Sequence, residues 1–110
     1  MKIAVLGAGA WGSALASALS AHAHHVTLWG RETQVIAELR ATRINTRFLP
    51  EIELDQSLRY SDHLQDTLDA HNAPDDVLII ATPISGLRET AQKIATHPTQ
   101  AAVLWLCKGV

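Results

Sequence analysis

Short apolar segments alternate with segments of helical periodicity along most of this chain. Residues 2–6, 25–29, 77–81 and 101–107 are rich in apolar side chains, which is typical of strands buried on both faces of a parallel sheet. Helices are predicted from Trp11 to about Ala21, from Thr33 to about Arg40, and from Pro83 onward. The alternation predicts an α/β fold with a doubly wound, mostly parallel sheet.

The periodicity also predicts which helix faces are buried. Apolar residues recur every four positions in the first helix, at Trp11, Leu15 and Leu19, and small residues between them would let the helix approach the sheet. In the second helix, Thr33 is the expected capping residue, and Ile36 and Leu39 are expected to point inward.

The pattern weakens between residues 41 and 57, where Pro50 marks a predicted loop. A short strand at 58–61 and a short helix at 62–70 follow it. The last apolar run, 101–107, is predicted to be a central strand, and it is followed only by Lys108-Gly109-Val110. A doubly wound sheet needs a second half, so we expect residues 1–110 to form one incomplete domain at the N-terminus of a longer protein.

Composition narrows the class of protein. The 110 residues are 47% hydrophobic, enough for one core, and the formal charge of −2 has no basic cluster, which makes a nucleic-acid partner unexpected. The apolar N-terminus resembles a signal peptide, but glycines and serines interrupt it and also make a membrane span unexpected. A single cysteine, Cys107, permits neither a disulfide nor a zinc motif, so a cytoplasmic protein without a bound metal is predicted.

Gly7-Ala8-Gly9-Ala10-Trp11-Gly12 follows the first strand and opens the first helix. In a Rossmann-like fold, Gly7 would permit the tight turn, Gly9 would let the backbone approach a pyrophosphate, and Gly12 would bring the helix close to the strand. The helix N-terminus would then bind the phosphates. The motif predicts a dinucleotide ligand.

The end of the second strand indicates which dinucleotide binds. An acidic residue commonly stands there to bind the ribose 2′-hydroxyl of NAD, but this chain has Gly30 followed by Arg31. The guanidinium of Arg31 suits a 2′-phosphate, which favours NADP over NAD. Glu32 is the counter-argument, because its carboxylate could reach the ribose instead, so NAD stays open.

Four segments together resemble one family, the bacterial-type NAD(P)-dependent glycerol-3-phosphate dehydrogenases. The resemblance covers essentially the whole chain. A glycine loop alone would fit many families, whereas the Asn-x-x-Phe-Leu-Pro segment and the strand-terminal Lys-Gly pair are more specific. The resembling segments are residues 7–16, Val26-Thr27-Leu28-Trp29-Gly30-Arg31, Asn45-Thr46-Arg47-Phe48-Leu49-Pro50 and Lys108-Gly109.

The resemblance implies hydride transfer between NAD(P)H and dihydroxyacetone phosphate or sn-glycerol 3-phosphate, a reaction that supplies glycerophospholipid synthesis. It implies cofactor contacts at Ala10, Trp11, Arg31 and Phe48, and a lysine, Lys108, that touches both cofactor and substrate. It places the general acid/base lysine in a helical second domain that these residues do not include, so no catalytic residue is expected here. It also suggests a homodimer.

Two other functions are compatible with the same motifs. The chain could be a stand-alone dinucleotide-binding or redox-sensing module, although the unfinished sheet and Lys108 argue against this. It could also belong to a dehydrogenase of the same fold that acts on another substrate, such as a hydroxy acid. Only the family resemblance of residues 45–50 argues against that alternative.

Overall fold

Strands and helices alternate as the pattern predicts. The computed structural model describes residues 1–22, 24–82, 84–97 and 99–106, with the backbone alone at 84–87. The strands in that part of the chain are β1 (Lys2–Leu6), β2 (His25–Trp29), β3 (Ile44–Asn45), β4 (Leu49–Glu53), β5 (Arg59–Ser61), β6 (Val77–Ile80) and β7 (Ala102–Trp105). The helices are α1 (Ala10–Ala21), α2 (Thr33–Thr42), α3 (Leu64–Ala70) and α4 (Ile84–Thr96).

Five of the strands form one parallel sheet in the order β5-β2-β1-β6-β7. The chain moves outward from β1 to β2 and β5, and then crosses back to β6 on the other side of β1. The predicted α/β class is therefore confirmed. The order of the strands reverses between β1 and β6, and open sheets of this class bind ligands at such a point, beyond the carboxyl ends of the strands.

The sheet is buried on both faces because helices cover each side. Ile3 and Val5 pack with α1 and α2 on one face, whereas Ala4 and Leu6 pack with α3 and α4 on the other. Successive residues of a strand point to opposite faces, so β1 needs apolar residues at each position from Ile3 to Leu6, after the exposed Lys2. This is the physical origin of the uninterrupted apolar runs in the sequence.

The buried face of α1 differs from the predicted one. Leu15 and Leu19 are half-buried against the core, but Trp11 is 56% exposed. The face buried against the sheet consists of small residues: Gly12, Ser13, Ala16 and Ser20. Small side chains let the helix axis lie closer to the sheet than a leucine stripe would, which leaves the indole of Trp11 outside the contact.

Two local predictions are wrong. The predicted loop at 41–57 contains an antiparallel hairpin of β3 and β4, with Pro50 inside β4. Proline is tolerated on a strand of this kind because each strand of a two-stranded sheet has an open edge. Glu32, and not Thr33, is the residue that precedes α2, and its side chain makes no capping hydrogen bond. Ile36 and Leu39 are fully buried, as predicted.

The predicted central strand at 101–107 is the outermost strand of the described sheet, because β7 pairs only with β6 among the described residues. Its apolar character therefore does not reflect burial in these residues: Leu104 and Trp105 are 52% and 54% exposed. Pro83, Cys107, Lys108 and Gly109 lie outside the described residues. Within the described residues, no helix is long and apolar enough to cross a membrane.

Candidate nucleotide-binding site

The carboxyl ends of all five parallel strands meet at one edge of the sheet. Ser61, Trp29, Leu6, Ile80 and Trp105 form one row of paired residues across the sheet at that edge. The residues that follow each strand therefore lie at the same end of the sheet. The glycine loop follows β1 here, and the segment around Arg31 follows β2.

The backbone of the glycine loop is shaped by its own close contacts. Gly7 has a φ of 131°, a conformation that favours glycine, and a Cβ there would lie 2.7 Å from the carbonyl carbon of Ala81. A Cβ at Gly12 would lie 1.8 Å from the carbonyl oxygen of Gly7. These two glycines are required by the packing of the protein itself. They bring α1 against the end of β1 at the point where the strand order reverses.

Gly9 differs from these two glycines, because a Cβ built on it meets no atom within 4 Å among the described residues. The protein's own packing therefore does not require glycine at this position, and the space beside it is open. Gly9 immediately precedes α1, whose first turn contains no acidic side chain. An open approach to the positive end of a helix suits a phosphate group, because a pyrophosphate could come within hydrogen-bonding distance of the backbone.

Asn45 of the hairpin holds the glycine loop from the other side. Its side-chain amide donates hydrogen bonds to the carbonyl oxygen of Ala8 at 2.8 Å and to the hydroxyl of Ser13 at 2.9 Å. Its side-chain oxygen accepts one from the backbone N–H of Phe48 at 3.2 Å. Asn45 is 2% exposed, and its bond to Ser13 is fully buried. The sequence motif contained this residue, but nothing in it assigned Asn45 a role.

Two aromatic side chains of the candidate site are unusually exposed. Trp11, in the first turn of α1, is 56% exposed, and Phe48, in the hairpin turn, is 42% exposed. The guanidinium carbon of Arg47 lies 5.2 Å from the centre of the Phe48 ring. Because Asn45 bonds both Phe48 and Ala8, the hairpin turn stands next to the glycine loop.

The segment after β2 brings Gly30 against the loop. A Cβ at Gly30 would lie 2.8 Å from the Cβ of Ala8 and 3.0 Å from a methyl group of Ile36. An acidic residue at this position would clash with both neighbours. The structure thus explains why the position that often carries a ribose-binding acid is a glycine here.

The charged residues that follow Gly30 both have partners. Arg31 donates a hydrogen bond to Glu89 of α4 at 2.9 Å. Glu32 forms an ion pair with Arg47 of the hairpin. The two side chains therefore diverge, Arg31 toward α4 and Glu32 toward the hairpin. Sequence reasoning missed Glu89, whose only local signal is its pairing with Lys93 one helical turn later.

The structure brings most of the predicted site residues to one place, and one of them lies outside the described residues. Those around the reversal point of the sheet are Gly7, Gly9, Ala10, Trp11, Gly12, Arg31 and Phe48. Lys108 lies outside the described residues, although the chain approaches this edge: the N–H of Leu106 bonds the carbonyl oxygen of Ile80 at 2.8 Å. Among the described residues, no three histidine, cysteine or acidic side chains are grouped to hold a metal ion.

Comparison with known proteins identifies the family. Residues 2–110 match the family model described as NAD-dependent glycerol-3-phosphate dehydrogenase N-terminus. The chain belongs to this family. The resemblance seen in the sequence, which includes the glycine loop and the Asn45 hairpin, is therefore confirmed over nearly every residue.

Individual relatives give the same result. A glycerol-3-phosphate dehydrogenase [NAD(P)+] of Ralstonia nicotianae is 46% identical over 109 residues, which cover 99% of this chain and 32% of the relative. A protein of the same name from Thiobacillus denitrificans is 44% identical over the same shares of the two chains. The crystal structure of a glycerol-3-phosphate dehydrogenase from Coxiella burnetii superposes with a TM-score of 0.85 at 28% identity, over 99% of this chain and 33% of that one. This chain therefore spans about a third of the length of its relatives.

Proposed function

We propose that this chain binds NADP or NAD as part of an oxidoreductase that transfers a hydride between NAD(P)H and dihydroxyacetone phosphate or sn-glycerol 3-phosphate. The open space beside Gly9, at the N-terminus of α1, carries the cofactor half of the proposal. The names of the relatives support the substrate half. The single cysteine favours a cytoplasmic location, and the family resemblance assigns the reaction to the supply of glycerophospholipid backbones.

Each described residue of the site has a distinct task in this proposal. Gly7 and Gly12 hold the loop in shape, Gly9 admits the pyrophosphate, and the backbone N–H groups at Ala10 and Trp11 face it from the helix N-terminus. The aromatic ring of Phe48 covers the bound dinucleotide from the hairpin. The bound cofactor supplies or accepts the hydride.

Arg31 is the proposed determinant for NADP. Its guanidinium lies just beyond β2, and it can donate to a 2′-phosphate in a planar, two-pronged arrangement. The carboxylate of Glu32 points away from Arg31 and pairs with Arg47 of the hairpin. Both side chains of that pair are more than half exposed, so the carboxylate can leave Arg47 at small cost and NAD stays open as a ligand. Lys108 is proposed, from the family resemblance alone, to contact both substrate and cofactor.

Substrate turnover is proposed to need residues beyond these 110. The relatives are about three times as long as this chain, and the resemblance assigns their general acid/base lysine to a helical second domain. We therefore expect the 110-residue chain to bind dinucleotide without reducing dihydroxyacetone phosphate. Measurable reduction of that substrate by the purified chain would contradict this division of tasks.

The first experiment is a titration of the chain with NADPH and with NADH, followed by quenching of tryptophan fluorescence, after circular dichroism has shown that the chain is folded. Trp11 and Trp29 flank the site, and Trp105→Phe removes the emission of an exposed tryptophan at the edge strand. We expect saturable binding, with NADPH the tighter ligand. A folded chain that binds neither nucleotide would contradict the proposed function.

Arg31→Asp then tests the role of the guanidinium. Loss of charge-assisted hydrogen bonds to a phosphate should weaken NADPH binding by about tenfold or more, and NADH binding should change by less than about twofold. Lys2→Asp is the matched control, since it makes the same change of charge at the start of β1, on the opposite edge of the sheet. Equal losses for both nucleotides in Arg31→Asp would show that Arg31 does not contact the 2′-phosphate.

A further inference from the structure

The guanidinium of Arg31 is already engaged in an ion pair across the candidate site. Its Nη2 atom lies 2.9 Å from Oε2 of Glu89, which is 58 residues away in the sequence and on α4. The other carboxylate oxygen of Glu89 lies 3.4 Å from Nζ of Lys93. One carboxylate therefore lies between two cations, and the three side chains together carry one net positive charge.

This ion-pair cluster borders a cavity at the carboxyl edge of the sheet. The cavity has a volume of about 370 Å³, and its lining includes Trp29, Arg31, Glu89 and Lys93. Trp29 is the last residue of β2, so the cavity opens where that strand ends. In folds of this class the adenine ribose binds beside the end of the second strand.

The acid that faces Arg31 is thus Glu89 and not its chain neighbour. Glu32 is directed to Arg47 on the hairpin. Arg31 and Glu89 have side chains that are 60% and 57% exposed, so water competes with their bond and the pair can separate at small cost. A bound anion can replace the carboxylate under these conditions.

We propose that Glu89 sets the preference between NADPH and NADH by competing with the 2′-phosphate for the guanidinium of Arg31. This inference rests on the proposed function. A 2′-phosphate carries nearly two negative charges at neutral pH, and it must displace the carboxylate or bind next to it. NADH has no such group, so its binding leaves the pair of Arg31 and Glu89 intact. Glu89 therefore reduces the advantage of NADPH, and the site accepts both nucleotides.

Glu89→Gln tests the proposal, because the amide keeps the size of the side chain and removes its charge. Binding of NADPH should strengthen by about two- to fivefold, the range expected from the strength of an exposed ion pair, and binding of NADH should not change. Asp75→Asn is the matched control: it removes one negative charge from the exposed turn before β6, at the opposite edge of the sheet. Both variants are titrated as purified 110-residue chains.

A double variant separates two effects of Glu89: competition with the 2′-phosphate for Arg31, and direct electrostatic repulsion between the Glu89 carboxylate and the phosphate. In an Arg31→Gln background, Glu89→Gln should leave NADPH binding unchanged, since the residue for which carboxylate and phosphate compete is gone. The gain in the single variant should also shrink at high salt, because exposed charges are screened. Both results together would establish that Glu89 acts through Arg31.

Four outcomes would overturn the inference. An equal gain for NADH and NADPH would show a general effect of charge, and a gain that persists without Arg31 would show repulsion independent of the pair. If Glu89→Gln bound both nucleotides with the affinities of the parent chain, Glu89 would play no part in the preference, and the proposed function would stay intact. If the folded parent chain bound neither nucleotide, the proposed function itself would fail, and this inference with it.

Discussion

The side-chain amide of Asn45 donates a hydrogen bond of 2.8 Å to the carbonyl oxygen of Ala8, which joins the β3–β4 hairpin to the glycine loop. The same amide reaches the hydroxyl of Ser13 in α1. Loop, helix and hairpin are therefore held together by one buried side chain. The glycine loop is thus bonded to a residue more than thirty positions away in the sequence.

Replacement of Asn45 should weaken both the fold and the binding of dinucleotide. Asn45→Ala removes the donor to the carbonyl of the half-buried Ala8 and to the buried hydroxyl of Ser13, which should lower the free energy of unfolding by about 1–3 kcal/mol. Asn45→Asp should lower it further, because a carboxylate oxygen would face the Ala8 carbonyl oxygen. Urea denaturation measures the loss, and Asn72→Ala, at an exposed asparagine in the loop before β6, is the control.

The two roles of Asn45 can be separated by titration of the folded variant. If Asn45 positions the loop, Asn45→Ala should bind NADH and NADPH less tightly even at temperatures well below its unfolding transition. A variant that loses stability but keeps the affinity of the parent chain would show that Asn45 supports the fold alone.

Gly9 and Gly12 should respond in opposite ways to the same substitution. Gly12→Ala places a methyl group against the carbonyl oxygen of Gly7, so the chain should be strongly destabilised. Gly9→Ala meets open space and should keep the stability of the parent chain. It should nevertheless weaken the binding of either dinucleotide by about tenfold or more, because the methyl group would keep the pyrophosphate from the backbone N–H groups.

Thermal denaturation followed by circular dichroism gives the stabilities, and fluorescence titration gives the affinities of Gly9→Ala. Each glycine variant is thus the control for the other. A Gly9→Ala chain that binds dinucleotide as tightly as the parent would show that the open space beside Gly9 is not the phosphate site.

The hydrogen bond between Asp69 and His97 predicts a dependence of stability on pH. Nε2 of His97 lies 2.6 Å from the Asp69 carboxylate, and this hydrogen bond lowers the pKa of Asp69 below its ordinary value of 3.8. The unfolded chain then binds a proton more readily than the folded chain. Asp69 therefore adds to the free energy of unfolding at pH values above its ordinary pKa. This contribution is lost as the pH falls through the lower pKa of the folded state.

Asp69→Asn should reduce the change in the free energy of unfolding with pH over the acidic range in which Asp69 titrates. Urea denaturation at several pH values between about 2.5 and 5 would measure it, since the linkage acts only across the two pKa values of Asp69. Asp66→Asn removes the same charge from the same helix and should leave the slope due to Asp69 in place. An identical profile for Asp69→Asn and the parent chain would contradict the prediction.

The interactions of the candidate site were less predictable than its position. The glycine loop and Arg31 could be selected from the sequence because turn geometry and strand ends leave local signals, whereas Phe48 was selected through the family resemblance. The hairpin that contains Asn45 could not, because β3 is two residues long and β4 is mostly exposed. The bond between Arg31 and Glu89 left no signal either, since the two residues are 58 positions apart and are separated by the crossover from β5 to β6.

The exposure of Trp11 and the edge position of β7 show a similar limit. A repeat of apolar residues indicates that a helix or strand is amphipathic or buried. How closely each of its faces packs against the rest of the protein depends on the neighbouring elements. At α1, the contact between Gly12 and Gly7 moves the helix toward its small residues and leaves Trp11 exposed.

By itself, the sequence determined the α/β class, the parallel strands and the glycine loop at the first strand end. These follow from the periodicity of apolar residues and from steric limits that act over a few neighbouring residues. Only the tertiary structure decided which acid pairs with Arg31, which residue holds the loop and which glycine faces open space. Those properties depend on distances between segments far apart in the chain, and such distances exist only once the sheet has assembled.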